Sequence, residues 1–257
     1  MREALRPFLH GSDAEAHVDE RVQGFRLLPP PQGSSSHLPL VLAESSSGIC
    51  GRVWDSGVLL TSWLASAACA GGALGEGRAL RLIELGAGVG VAGLAAAALG
   101  FKVLLTDLEE AVPVLRLNAD ANAHRCALPP AVAALEWGGT EAALREAVGT
   151  GLDAAWEGSS LVLCSDVVYE PAAYAPLITT MRQLASCGVA TRTIMAHRSR
   201  HPDEHLFFTA AARHFSMRQL LGPPFVPLGT GEPSPGGDDG STVRIFEFTA
   251  IAAVNCG

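Results

Sequence analysis

Leu80–Asp107 reads LRLIELGAGVGVAGLAAAALGFKVLLTD, and this stretch decides the fold. A short apolar run ending at Leu85 enters a glycine loop, a helix of small residues follows, and a second apolar run, Val103–Thr106, closes on an acid. Short runs that are apolar throughout are strands covered on both faces, as in a parallel sheet. Between them the chain must turn sharply and leave its backbone open to a ligand, which residues lacking a β-carbon allow. Gly86, Gly88 and Gly90 meet that need. Asp107 falls at the carboxyl end of the second strand, where a carboxylate can accept both hydroxyls of a ribose. The expected ligand carries adenosine.

Two frames overlap here. Gly88-Val-Gly90-Val-Ala-Gly93 has the GxGxxG spacing of a dinucleotide site, with Asp107 at about 20 residues from it, so on this stretch alone a nicotinamide enzyme stays open. The earlier frame, Glu84-Leu-Gly86-Ala87-Gly88-Val-Gly90, ends the first strand with an acid. A carboxylate there repels a pyrophosphate and suits a phosphate-free cationic cofactor such as S-adenosyl-L-methionine. Glu84 therefore joins the candidate cofactor residues.

Composition narrows the class. A chain of 257 residues, 48% hydrophobic, can build one sizeable core. No apolar run is long enough to cross a membrane, and the acidic N-terminal stretch lacks the core of a signal peptide, so a cytoplasmic protein, with presence in the nucleus open, is expected. Six cysteines without a CxxC pair read as reduced thiols. A net charge of −8 argues against nucleic acid as partner. His197, His201 and His205 are spaced by four, but Pro202 interrupts a helix through them and no ligand set completes a metal site. No metal is expected.

Along the chain, strands and helices alternate. Helices are expected over 109–124, 140–148, 172–185 and 202–214, with strands over 132–136, 160–165 and 192–196. Residues 215–221 and 243–249 are strands with no helix between them and must form a long-looped antiparallel hairpin. Counted from Leu80, the sheet has seven strands, the last two antiparallel. Before it, strands at 25–28 and 38–43 flank a PPPQGSSS connection, and an amphipathic helix opens at Val53-Trp54-Asp55-Ser56-Gly57. The chain divides into an N-terminal extension, 1–52, packed on a single globular unit, 53–257.

Four motifs in this order, VWDSGVLLTSWL, LIELGAGVGVAGLAAAALGFKVLLTD, LEWG and LVLCSDVVYE, resemble the family 16 seven-β-strand methyltransferases, whose methyltransferase-like 21 branch methylates protein lysines. The resemblance covers about 25–248. It implies a Rossmann-like α/β fold, S-adenosyl-L-methionine as cofactor and a protein substrate with an accessible lysine, a chaperone or translation factor being the family's pattern, with no nucleic acid and no membrane partner. A monomer is the default. Carried over, it implies that Trp54 touches the cofactor, Gly86, Ala87 and Gly88 line its methionine portion, Asp107 holds the ribose, Leu108 beside it belongs to the cofactor site, Trp137 packs near adenine, and Ser165 contacts it from the fourth strand's end. Asp166 and Tyr169 match the family's DxxY signature beside the transferred methyl. Val89 departs from the pattern, where threonine is common. Asn118 and Asn122 also match family positions and read as helix-surface residues that support the cofactor loop.

The rival readings are a methyltransferase of another substrate class (arginine, histidine, RNA or a small molecule), a non-catalytic cofactor-binding module, and a nicotinamide reductase. Asp166 and Tyr169 have a plainer reading as an N-cap acid and a surface tyrosine. Trp137 has one as core packing.

Overall fold

A computed structural model describes residues 22–28, 40–45, 49–69, 81–151, 160–190, 192–222 and 242–251. Seven strands form one sheet: β3 (Arg81–Leu85), β4 (Lys102–Asp107), β5 (Ala131–Ala134), β6 (Ser160–Ser165), β7 (Arg192–His197), β8 (Phe215–Leu221) and β9 (Arg244–Ala250). A separate two-stranded antiparallel sheet pairs β1 (Val22–Leu28) with β2 (Leu40–Ser45). The helices are α1 (Asp55–Cys69), α2 (Val91–Ala98), α3 (Val112–Asn122), α4 (Glu141–Gly151), α5 (Pro171–Ser186) and α6 (Glu204–Ala211).

The large sheet has the order β5-β4-β3-β6-β7-β9-β8. Its first five strands are parallel, and β9 is inserted antiparallel to both β7 and β8. The expected seven strands and antiparallel hairpin are present; the reversed strand is β9, and β8 on the edge runs with the others. The long connection at 223–241 lies outside the described residues, as do 29–39 with the PPPQGSSS stretch and the whole acidic N-terminal stretch.

Strand alternation splits the core into two layers. Ile83, Leu85, Leu104, Val162, Cys164, Met195, Phe246 and Phe248 face one layer with α4, α5 and α6. Leu82, Val103, Leu105, Leu161, Leu163, Ile194 and Ala196 face the other, with α1, α2 and α3. Both faces are buried, which is why these strands read as continuous apolar runs rather than alternating ones. Ser160–Ser165 and Phe215–Leu221 match their expected bounds. The expected helix over 109–124 begins only at Val112, with Pro113 in its first turn, where a missing N–H costs nothing. The one expected over 202–214 shortens to Glu204–Ala211.

The extension is held by an unusual device. Asn118 Oδ1 accepts the Ala43 N–H at 2.6 Å while its Nδ2 donates to the Ala43 carbonyl at 3.1 Å. One turn on, Asn122 repeats this with the Val41 N–H (3.0 Å) and carbonyl (2.7 Å). Four residues of helix rise about 6 Å and two residues of strand about 6.6 Å, so two amides on one helix face satisfy alternate residues of β2 as a neighbouring strand would. Both asparagines are fully buried, which corrects their reading as helix-surface residues. Of the two, Asn118 also reaches the glycine loop, its Nδ2 donating to the Val89 carbonyl at 2.9 Å. No helix among the described residues is long and apolar enough to cross a membrane.

Candidate active site

Strand order reverses direction around β3, with β4 on one side and β6 on the other. In open α/β sheets the crevice at the carboxyl ends of such strands is where ligands bind. A cavity of about 570 Å³ lies there. Gly86–Val89 and Val91 come from the end of β3, Asp107 and Leu108 from β4, Leu135–Trp137 from β5, Ser165–Val167 and Tyr169 from β6, and Arg200 from β7. Cys50, Arg52, Trp54 and Gly57 close it from the entry to α1, and Pro176 from α5.

Of the residues singled out in the sequence, Trp54, Gly86, Ala87, Gly88, Asp107, Leu108, Trp137, Ser165, Asp166 and Tyr169 line this cavity. Glu84 and Gly90 do not. Gly90 has φ +85° and heads α2, so it shapes the loop from behind. Glu84 points away from the cavity toward α2, fully buried, and its Oε2 accepts the Gly93 N–H at 2.9 Å. Burial, reinforced by the negative charge of Asp107, pushes its carboxyl up to about 8, so it is mostly neutral at pH 7. The repulsion assigned to a charged Glu84 therefore has no basis, and Glu84 is a structural support.

The glycine loop nonetheless disfavours a phosphate, for a different reason. A loop that cradles phosphate needs its N–H groups open to the ligand. Here Gly88 N–H donates to Asp107 Oδ2 at 2.6 Å, Gly90 N–H to the Ala87 carbonyl at 2.7 Å, and Gly93 N–H to Glu84. Three donors around the start of α2 are thus already spent within the protein. Glycine is needed here for close packing of the cavity wall: a β-carbon on Gly86 would lie 2.8 Å from Trp137 Cζ2, and one on Gly88 3.0 Å from the Cys50 carbonyl oxygen. Both glycines also have positive φ.

Asp107 is buried, and its Oδ1 accepts the Leu108 N–H at 2.7 Å. Burial raises its carboxyl above the usual range, against the lowering effect of the two N–H donors. Each oxygen keeps a lone pair for a further donor from the cavity.

Asp166 directly follows β6 with φ +55°, the only non-glycine among the described residues in the left-handed region. Aspartate tolerates that region better than most residues, and such backbone gathers at functional sites. Its N–H continues the sheet to the Ala196 carbonyl at 3.0 Å. Its carboxylate meets Arg200, whose guanidinium donates to Oδ2 at 2.7 Å and lies 4.9 Å from the Trp54 ring centroid. The Arg198 N–H reaches Oδ1 at 3.3 Å. Asp166 is not a helix cap: Glu170 is the N-cap of α5. Tyr169 is half-buried, and its hydroxyl is pushed up by burial and by the nearby Cys50, Asp107 and Glu170, so it is protonated at neutral pH.

Sequence reasoning missed Cys50, Arg52, Glu136, Val167, Pro176 and Arg200 in the lining. Nothing in the sequence RSRH, Arg198–His201, tells which arginine turns inward. His197 is buried, with Nε2 3.1 Å from Glu204 Oε2, and His201 Nδ1 accepts the Asp203 N–H.

A solved S-adenosylmethionine-dependent methyltransferase from Agrobacterium tumefaciens superposes with a TM-score of 0.49 at 15% identity, over 90% of this chain and 72% of that one. Protein N-lysine methyltransferase METTL21A of Mus musculus is 30% identical over 175 residues, which cover 67% of this chain and 72% of that protein. EEF1A lysine methyltransferase 3 of Mus musculus is 31% identical over 179 residues, 67% of each chain. The profile of the lysine methyltransferase family matches residues 35–214, a span running from before β2 through every strand that feeds the cavity. The strand ends that build the crevice are thus the part of the sequence the family shares, and the chain belongs to the lysine methyltransferase family.

Proposed function

We propose that the cavity takes S-adenosyl-L-methionine and that a lysine side chain of a protein substrate is methylated beside Asp166 and Tyr169. The observation that carries this reading is the convergence, in a lysine methyltransferase chain, of residues from the carboxyl ends of five parallel strands on one cavity. The residues fit the cofactor: Asp107 presents a carboxylate at the end of β4, Gly86 and Gly88 line the cavity with backbone, and Trp54 and Trp137 give aromatic surface. Three N–H groups of the glycine loop and helix start are already bonded within the protein, which suits a cofactor without phosphates.

When bound, the cofactor supplies an electrophilic methyl group on a sulfonium. The protein has to deliver a neutral amine in line with it, and positioning provides much of the rate. A lysine with a reference pKa near 10.4 is neutral in roughly one molecule in 2,500 at pH 7, a cost of about 4.6 kcal/mol. Partial desolvation against Trp54 and Val167 lowers that pKa. The hydroxyl oxygen of Tyr169 and the carboxylate of Asp166 accept amine N–H groups and turn the remaining lone pair toward the methyl. Asp166 also attracts the incoming ammonium.

The substrate we favour is a chaperone or translation factor, since one relative is named for EEF1A and the chain's acidity disfavours RNA. The described free cysteines, Cys50, Cys126, Cys164 and Cys187, suit a reducing compartment such as the cytoplasm. The test is incubation of purified protein and labelled S-adenosyl-L-methionine with a methylation-poor cell extract, followed by mass spectrometry, with Asp166→Asn and Tyr169→Phe alongside. A labelled protein lysine that fades with both variants supports the reading. Label confined to RNA, or full turnover in both folded variants, overturns it.

A further inference from the structure

The carboxylate assigned to receive the substrate's cation already holds one. Arg200 donates to Asp166 Oδ2 at 2.7 Å, the Asp166 side chain is 7% exposed, and the same guanidinium lies 4.9 Å from the centre of the Trp54 ring. A carboxylate beside an aromatic face is also what a lysine ammonium seeks. We infer that Arg200 is an internal stand-in for the target lysine: it holds Asp166 until the substrate's ammonium replaces its guanidinium. This rests on the methyl-transfer reading given above.

Three features support the exchange. The loop that carries Arg200 is fixed: Arg198 N–H is on Asp166, Ser199 Oγ donates to the buried Glu204 at 3.0 Å, and Asp203 N–H is on His201. Only the Arg200 side chain has to move, and at 26% exposed it has a path to solvent. Replacing one cation by another also leaves no uncompensated buried charge, so entry avoids the large cost of a bare Asp166. A small neutral molecule entering the same place makes no such exchange, and Asp166 stays covered against it.

There is a consequence for the substrate. Once displaced, the Arg200 guanidinium turns toward the open side of the cavity, whose lining also includes the exposed Arg52. A carboxylate close to the target lysine gives these arginines a new partner. The favoured target is a lysine with an acidic neighbour.

The test uses the full chain and n-butylammonium chloride as a lysine side-chain probe, its affinity read by saturation-transfer NMR, with S-adenosylhomocysteine binding measured in parallel. Arg200→Gln and Arg200→Met should each bind the probe about tenfold more tightly than the native chain, the size expected from freeing one charge-assisted hydrogen bond. Arg200→Lys should restore native behaviour, and adding Asp166→Asn to Arg200→Gln should abolish the gain. Equal or weaker probe binding by folded Arg200→Gln and Arg200→Met, with S-adenosylhomocysteine still bound, overturns the stand-in and spares the methyl-transfer reading. Absence of S-adenosylhomocysteine binding by the native chain overturns both.

Discussion

Asp107 Oδ2 accepts the backbone N–H of Gly88 at 2.6 Å, so the acid that ends β4 fastens the glycine loop that follows β3. The sequence suggests an acid kept for a ribose, whose loss would weaken binding more than it changes folding. Its two hydrogen bonds to backbone, on Gly88 and Leu108, mean that Asp107→Ala also unfastens the loop. We expect Asp107→Ala to lose about 2–4 kcal/mol of stability, from leaving two N–H groups without their charged acceptor. Asp107→Asn retains an acceptor and should lose less stability, yet bind S-adenosylhomocysteine about tenfold more weakly. Calorimetric titration beside urea unfolding separates the two. Equal stability losses would show that the charge alone holds the loop.

Asn118 joins the extension to the cofactor loop through one amide, by way of Ala43 and Val89. Truncation strands a buried N–H and two buried carbonyls. Asn118→Ala should cost about 2–4 kcal/mol and speed hydrogen exchange at the amides of β2. Asn118→Asp keeps the acceptor for Ala43 N–H but turns donors into acceptors, and should be no better. Native exchange rates in β2 would argue that the hairpin is held by its apolar face alone.

Glu84 supplies a pH test. Its carboxyl is raised from 4.5 to about 8 in the folded protein. Between those values the folded state binds more protons than the unfolded one, so this group's stabilising contribution is complete below about 4.5 and is lost as pH rises through about 8. Glu84→Gln does not titrate and can still accept the Gly93 N–H. Its melting temperature relative to the native chain should therefore rise steadily from about pH 5 to about pH 9. A constant difference over that range would place the native carboxyl pKa outside it.

Gly93 is the third glycine of the GxGxxG frame, and its role is packing. A β-carbon there would overlap Leu105 Cδ2 and lie 2.5 Å from Glu84 Oε2, both in fully buried side chains. Gly93→Ala should destabilise by about 1–3 kcal/mol, the usual cost of overpacking a closed core. Urea unfolding checks this. The neighbouring Ala92→Gly, which adds no volume, is the control for backbone effects, with a cost near 1 kcal/mol.

How much of the site was legible depended on the range of the contact involved. Asp107, Trp137, Ser165, Asp166 and Tyr169 stand in local motifs at strand ends, where the period of the chain itself fixes which end they occupy, and Trp54 stands in one at the head of α1. They converge as expected on one cavity. Glu84 stands in such a motif too, but which face of β3 it takes is set by the close approach of α2 at Gly93. From the sequence it read as a charged residue of the site.

The sequence by itself determined the sheet, because buried parallel strands must be apolar throughout and the glycines and Asp107 must fall at their ends. It also determined that the last two strands pair antiparallel, since the glycine- and proline-rich sequence between them carries no helix pattern. Only the tertiary structure decided that Asn118 and Asn122 act as a strand's edge for β2, from 75 and 81 residues away, and that Arg200 lies on Asp166 across 34. Such pairings depend on side-chain direction after the layers have packed. An arginine in a loop or an asparagine on a helix carries no periodic signal of where its partner is.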